Sequence, residues 1–257
     1  MPDYFHGLAG DCYGTADDRP PLVLLHGLSY NRHQWEPTLD ALALTDAGRQ
    51  VLVLDLPGHG DSPRRDSYRL DEVTEAVHHA VIEAGFAPPI LVGHSLGATI
   101  ATAYAAAYPA RGVVNIEQPL LVDDFAEVLR RFESALRGPD YAQVWELLLA
   151  GMQIDLLPED AQDLVRTTTP HQDLLLGYWD ELMTRPAAEF TDRWARALAT
   201  FGTQGLTYHH VSGAELDPAY RQWLVAARPD VTVTVLADSG HFPHLAQPTD
   251  LAAILAG

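Results

Sequence analysis

The chain has 257 residues, with 16 basic and 35 acidic side chains and a formal net charge of −19, and every basic residue is arginine. That length suits one large α/β domain with an insertion and buries a sizeable core, while the acidity makes nucleic acid and anionic membrane poor partners. A single cysteine, Cys12, excludes an internal disulfide.

Met1 to Gly14 holds Asp3, His6 and Asp11 and no long apolar stretch, so neither signal peptide nor membrane span is predicted, and the expected location is cytoplasmic. Leu22 to Leu25 reads as a buried parallel strand. It ends in His26-Gly27-Leu28, where a small residue lets the backbone turn inward and present the Leu28 amide. His26 itself reads as a structural hydrogen-bonding residue. Val51 to Leu54 is the next strand, followed by the turn-rich loop Asp55-Leu56-Pro57-Gly58-His59-Gly60-Asp61-Ser62, in which His59 and Asp61 are expected to order the loop. Leu70, Val73, Val77 and Val81 recur at helical spacing up to Gly85.

Ile90 to Val92 is a third strand and runs into Gly93-His94-Ser95-Leu96-Gly97. Glycines two residues either side of a serine allow a tight strand-to-helix turn that exposes the hydroxyl, so Ser95 is a candidate nucleophile. The alanine-rich stretch Ala98 to Ala107, ended by Pro109, supplies the helix such a turn requires. The Leu96 amide at its start, with that of Leu28, forms a candidate oxyanion hole. Val113 to Ile116 is a further strand, and Glu117 emerges directly from its end.

From about Pro119 to Thr203 no strand is predicted. The expected helices are Asp123 to Arg137, Tyr141 to Met152, Pro158 to Thr167, His171 to Met183 and Ala187 to Phe201, separated by Gly138-Pro139, Pro170 and Pro186. Phe132, Trp145, Met152, Tyr178, Trp179, Met183 and Trp194 either line an apolar site beneath this insertion or pack its helices together. Leu206 to Val211 and Val231 to Leu236 complete the strands. Ser239-Gly240-His241-Phe242-Pro243-His244 then places His241 on a loop before a last helix, Pro248 to Leu255. A serine hydroxyl is a weak nucleophile until an imidazole accepts its proton, which makes His241 the candidate base. His244 reads as a packing residue. His33, His78, His79, His171, His209 and His210 lack the spacing of a metal site.

The order His-Gly, Asp-Leu-Pro-Gly-His-Gly, Gly-His-Ser-Leu-Gly and Ser-Gly-His-Phe resembles the α/β-hydrolase superfamily over nearly the whole chain. The resemblance implies an α/β-hydrolase fold, with a mostly parallel eight-stranded sheet flanked by helices. It implies a core at 1–118 and 204–257 and a helical cap at 119–203. It also implies Ser95 as nucleophile and His241 as base. For the acid, Glu117 is the first choice, since certain lactone hydrolases and haloalkane dehalogenases of the superfamily carry theirs at that strand. Asp217 follows, one position later than the commonest spacing, and then Glu215.

The activity implied is hydrolysis of a small apolar carboxylic ester or lactone through an acyl-enzyme, with no cofactor and no metal. A serine at the elbow argues against the aspartate-nucleophile dehalogenases and epoxide hydrolases. Two other superfamily activities remain open: cofactor-free dioxygenation of an aromatic heterocycle, and ligand binding without turnover. Oligomeric state is not readable from the sequence.

Overall fold

The computed structural model describes residues 1–45, 48–166, 168 and 170–257. Thr167, the expected end of the third insertion helix, lies outside the described residues. The chain opens with a hairpin not anticipated from sequence: β1 (Asp3–Phe5) and β2 (Leu8–Tyr13) are antiparallel and joined at His6 and Gly7, with φ of 48° and 81°. Two successive left-handed residues match the right-handed strand twist of a tight hairpin, and glycine takes the second position at little cost. The hairpin strands are short and half exposed, so they lack the apolar run that marks a buried strand.

In chain order there follow β3 (Leu22–Leu25), α1 (Glu36–Thr45), β4 (Val51–Leu54), α2 (Leu70–Glu83), β5 (Ile90–His94), α3 (Leu96–Ala107) and β6 (Gly112–Ile116). Six helices come next: α4 (Asp123–Arg131), α5 (Glu133–Arg137), α6 (Tyr141–Gly151), α7 (Glu159–Arg166), α8 (Gln172–Thr184) and α9 (Ala187–Gln204). The chain ends with β7 (Thr207–Ser212), α10 (Pro218–Ala227), β8 (Thr232–Val235), α11 (Pro243–Ala246) and α12 (Pro248–Ala256). The single helix expected over Asp123 to Arg137 is interrupted at Phe132 (φ −99°, ψ 7°). No glycine or proline stands there to signal the break.

The sheet has eight strands in the order β1-β2-β4-β3-β5-β6-β7-β8, parallel from β4 to β8. Strands β3 and β4 are apolar throughout because both faces are covered. Val23, Leu25, Leu52, Leu54 and Leu91 turn to α2 and α3, whereas Leu22, Leu24, Val51, Val53 and Val92 turn to Trp35, Leu42 of α1 and Leu251 and Leu255 of α12. This alternation is the period of two expected of a strand. Each such fully buried aliphatic side chain contributes about 1.5–3 kcal/mol. A third cluster joins Leu129, Leu136, Trp145, Leu149, Trp179 and Met183 to Leu28, Tyr30, Phe242 and Leu245. The helices α4 to α8 therefore rest on the loops at the C-terminal edge of the sheet. By contrast, α9 buries Trp194, Leu198 and Phe201 in the cluster beside α3 and the sheet.

That edge is belted by a buried ion cluster. Arg32, 6% exposed, donates to Asp55 at 2.5 Å, to Asp11 at 2.6 Å and to Asp61 at 2.8 Å. Asp55, at the end of β4, also accepts the backbone N–H groups of Arg32 and Asp61 at 2.7 and 2.9 Å. A Cβ on Gly60 would lie 2.1 Å from the Asp55 carboxylate, which explains the second glycine of the Gly-His-Gly loop. A buried pair broken on one side leaves an uncompensated charge. Arg32→Ala is therefore expected to lower unfolding free energy by about 3–5 kcal/mol in urea titration. Arg137→Ala, which removes the exposed Glu133–Arg137 pair within α5, should hardly move the midpoint.

Candidate active site

The turn between β5 and α3 leaves no room for side chains. A Cβ on Gly93 would lie 2.3 Å from the Gly97 backbone, and one on Gly97 would lie 2.1 Å from the Leu25 carbonyl oxygen. Ser95 between them adopts φ 50° and ψ −119°, a conformation that costs a non-glycine residue about 1–3 kcal/mol and persists only where its surroundings enforce it. Its N–H donates to Ile116 O at 2.9 Å. Among the described residues the Ser95 hydroxyl makes no hydrogen bond.

Glu117, directly after β6, also has a positive φ, 54°, and its N–H donates to Val211 O at 2.9 Å. Its Oε1 accepts from Ser212 Oγ at 3.0 Å and from the Gly213 N–H. The other oxygen, Oε2, stands 3.7 Å from His241 Nδ1, an ion-pair rather than a hydrogen-bond separation. Burial pushes the Glu117 carboxyl up, but His241 together with the Gly213 and Ser212 donors outweighs it, so the net displacement is downward.

The structure thus brings Glu117 and His241 together and sends the other two acid candidates elsewhere. Asp217 caps α10, accepting from Ala219 N and Tyr220 N at 2.9 and 3.0 Å, with Pro218 as the first helical residue. Glu215 is not paired with His241 and lines a cavity of about 300 Å³ with Gln153, Leu156, Gly213 and Asp238.

The His241 loop is held from two sides. His241 N–H donates to Met152 O at 3.1 Å, just past the end of α6, and His94 Nε2 lies 2.7 Å from His241 O. His94 is fully buried, and burial, followed by the neighbouring His244 and His241, holds its pKa well below the usual imidazole value, so it stays neutral with its proton on Nε2. His244 is equally buried and packs 5.0 Å from the Trp35 ring. Sequence pattern marked His94 only as the variable second position of the elbow. Its partner lies 147 residues away, which no local signal reveals.

The Leu28 and Leu96 amides make no hydrogen bond among the described residues, although Leu28 is buried. Buried backbone N–H groups are almost always paired, so a free one is available to a ligand. The Leu28 turn is set by Gly27 N–H donating to Gln34 Oε1 at 3.2 Å and by Tyr30 N–H donating to Gly27 O at 3.2 Å. His26 and His59 brace it: His26 Nε2 accepts from Leu56 N at 3.0 Å, and His59 Nε2 accepts from Ser29 N at 3.0 Å. Burial lowers their pKa values to about 4 and about 3, so both remain neutral acceptors.

Trp145, Trp179, Met183 and Trp194 are buried among the helices. A cavity of about 510 Å³ lies instead against the turn after Leu28, lined by residues including Ser29, Tyr30, Arg64 and His171. Neither Ser95 nor His241 forms its wall, and no member of the expected aromatic set does. Among the described residues no group of three or more His, Cys, Asp or Glu side chains is arranged to hold a metal ion. No described helix is long and apolar enough to cross a membrane.

Residues 22–254 match the model of the alpha/beta hydrolase family. The acetyltransferase component of the acetoin cleaving system of Cupriavidus necator is 30% identical over 247 residues, covering 91% of this chain and 62% of that protein. The chain likewise spans less than two thirds of the other curated relatives it matches. Among solved structures, a protein described as recognising and cleaving the ring of the Pseudomonas quinolone signal superposes with a TM-score of 0.74 at 17% identity, covering 100% of this chain and 97% of that one. An N-acyl homoserine lactone degrading enzyme superposes with a TM-score of 0.72 at 20% identity, covering 96% and 95%. At these identities the likeness is one of fold.

A carboxyl whose pKa is lower in the folded than in the unfolded chain adds stability above its unfolded pKa and loses it as pH falls through the folded value. Glu117 is such a group. Urea midpoints should therefore place Glu117→Gln below wild type at pH 7, with the gap closing as pH drops through and below the carboxylate range.

Proposed function

The chain belongs to the alpha/beta hydrolase family, and from that membership we propose that it is a serine hydrolase of carboxylic esters or lactones. In this reading Ser95, His241 and Glu117 are the triad, and the Leu28 and Leu96 amides are the oxyanion hole. The observation that carries it is the Glu117 carboxylate, fixed by two donors at the end of β6 and facing His241 Nδ1 at 3.7 Å.

With Nδ1 turned to the carboxylate, Nε2 is left for the serine. His241 Nε2 takes the Ser95 proton as Oγ adds to the carbonyl carbon, and the two amides stabilise the oxyanion. In this reading the Ser95–His241 hydrogen bond, absent among the described residues, forms as substrate fills the site. His241 then returns its proton to the departing alcohol, leaving an acyl-enzyme. A water deprotonated by His241 attacks the acyl carbon, and the acid leaves as Ser95 recovers its proton. Glu117 holds the tautomer and stabilises the imidazolium in both halves. Residues 119–203 are the lid and 1–118 with 204–257 the core. The cluster that α4 to α8 form over Leu28, Tyr30 and Phe242 supports a lid there, whereas α9, at the end of the insertion, packs with the core.

A second reading draws on the fold likeness to the quinolone-cleaving protein. There His241 and Glu117 would deprotonate an aromatic heterocycle that then reacts with dioxygen, and Ser95 would carry no acyl group. Oxygen uptake separates the two.

On short p-nitrophenyl esters and lactones, Ser95→Ala is expected to lower kcat by roughly a thousandfold or more, and Glu117→Gln by roughly 10²–10⁴. Asp217→Asn should stay within a few-fold of wild type, because that side chain caps α10. Comparable losses in the Asp217 and Glu117 variants would overturn the assignment of the acid.

A further inference from the structure

His94 ends β5 directly before Ser95, and its fully buried ring touches two further segments of the candidate site. Its Nε2 lies 2.7 Å from the His241 carbonyl oxygen. A carbonyl only accepts, so the ring donates from Nε2. At its Nδ1 edge the ring lies against Gly27: a Cβ there would stand 2.8 Å from His94 Nδ1 and 3.2 Å from Cε1, too close for any side chain. Gly27 precedes Leu28, whose amide is the candidate oxyanion donor. The rings of His244, His241 and Phe242 close around His94, with centroids at 4.3, 4.9 and 5.3 Å.

The other backbone group of His241 is also taken. Its N–H is donated to Met152 O at 3.1 Å, so the 119–203 insertion holds one side of this residue and β5 holds the other. With both groups engaged the direction of the side chain is set, and Nδ1 stands 3.7 Å from Glu117. Ser95 and His241 make no hydrogen bond to one another among the described residues. Their relative place rests on backbone contacts such as these. Burial, followed by the neighbouring His244 and His241, keeps the His94 ring neutral. A neutral imidazole carries one N–H. Donated to His241, it leaves Nδ1 unprotonated against Gly27 and without a hydrogen-bond partner among the described residues.

We propose that His94 is a positioning residue for the base: its Nε2–H, donated to the His241 carbonyl, ties the base loop to the residue before Ser95, while its ring, in the space a Cβ on Gly27 would need, seats the turn that presents the Leu28 amide. This rests on the serine hydrolase reading, in which Ser95, His241 and the Leu28 amide must be in register together. His94 acts through the backbone of His241 rather than on substrate. Displacing a catalytic group by about 1 Å is enough to cost roughly a hundredfold in rate, so loss of the donor falls on kcat.

Three substitutions separate the donor from the bulk of the ring. His94→Gln carries an amide N–H at the same number of bonds from Cα as the imidazole Nε2, His94→Asn stops one bond short, and His94→Leu has similar bulk and no donor. On short p-nitrophenyl esters His94→Leu and His94→Asn should lose about a hundredfold in kcat with KM within a few-fold of wild type, and His94→Gln should recover most of that loss. Equal kcat in the Gln and Asn variants overturns the proposal, and that pair decides it should the Leu variant not fold. So does a loss that falls on KM with kcat unchanged. Hydrogen exchange over residues 239–244 gives a reading without turnover: the Leu and Asn variants should exchange faster there than wild type, and the Gln variant as slowly as wild type. Unchanged protection in every variant overturns the proposal. A wild-type protein that hydrolyses no ester or lactone counts against the serine hydrolase reading, and the exchange data then decide whether His94 holds the loop.

Discussion

The contact on which the site depends is the approach of two backbones at the C-terminal edge of the sheet. Gly97 packs against the carbonyls of Leu25 and His26, and Gly93 packs against Gly97 and Ala98. With no Cβ at either position, the chain reverses from strand to helix within a few residues, and Ser95 is left in a backbone conformation that ordinary packing would not tolerate. The same contact brings the His26-Gly27-Leu28 turn against the start of α3. Two amides without partners, those of Leu28 and Leu96, thereby lie on adjoining segments. A β-carbon at Gly97 would separate these segments before it disturbed any functional side chain.

Buried charge is handled in two distinct ways. Asp55 is neutralised outright by Arg32 and by backbone donors, which suits a carboxylate whose work is to hold loops. Glu117 has donors on one oxygen only, and its second oxygen faces an imidazole at ion-pair distance. A carboxylate anchored on one side and presented on the other can stabilise a proton that comes and goes. The His241 loop is correspondingly fixed through its backbone, by His94 and by the Met152 carbonyl, which leaves the ring facing Glu117.

Much of this was legible before the fold was known, for physical reasons that differ by residue. Ser95 was marked by glycines whose spacing has a steric cause. Glu117 was marked by its place directly after a largely apolar strand, where certain members of the superfamily carry their acid. Asp217 carried its own contrary signal, since Asp followed by Pro is the start of a helix as readily as a triad position. The Arg32 cluster, the Gln34 contact to Gly27 and the His94 contact to His241 left no trace, because each joins segments distant in sequence. The aromatic residues of 119–203 were ambiguous in principle: a pocket wall and a helix interface demand the same side chains. Trp145, Trp179 and Met183 are buried together with Leu28, Tyr30 and Phe242, whereas Trp194 is buried against the core.

Whether Ser95 is an activated nucleophile is read by intact-mass spectrometry after exposure to a small fluorophosphonate. Such a reagent reacts with serines served by a base and an oxyanion hole. A single adduct is expected on the wild-type protein and none on Ser95→Ala. A folded wild-type protein that acquires no adduct, or a Ser95→Ala protein that is labelled equally, would contradict it.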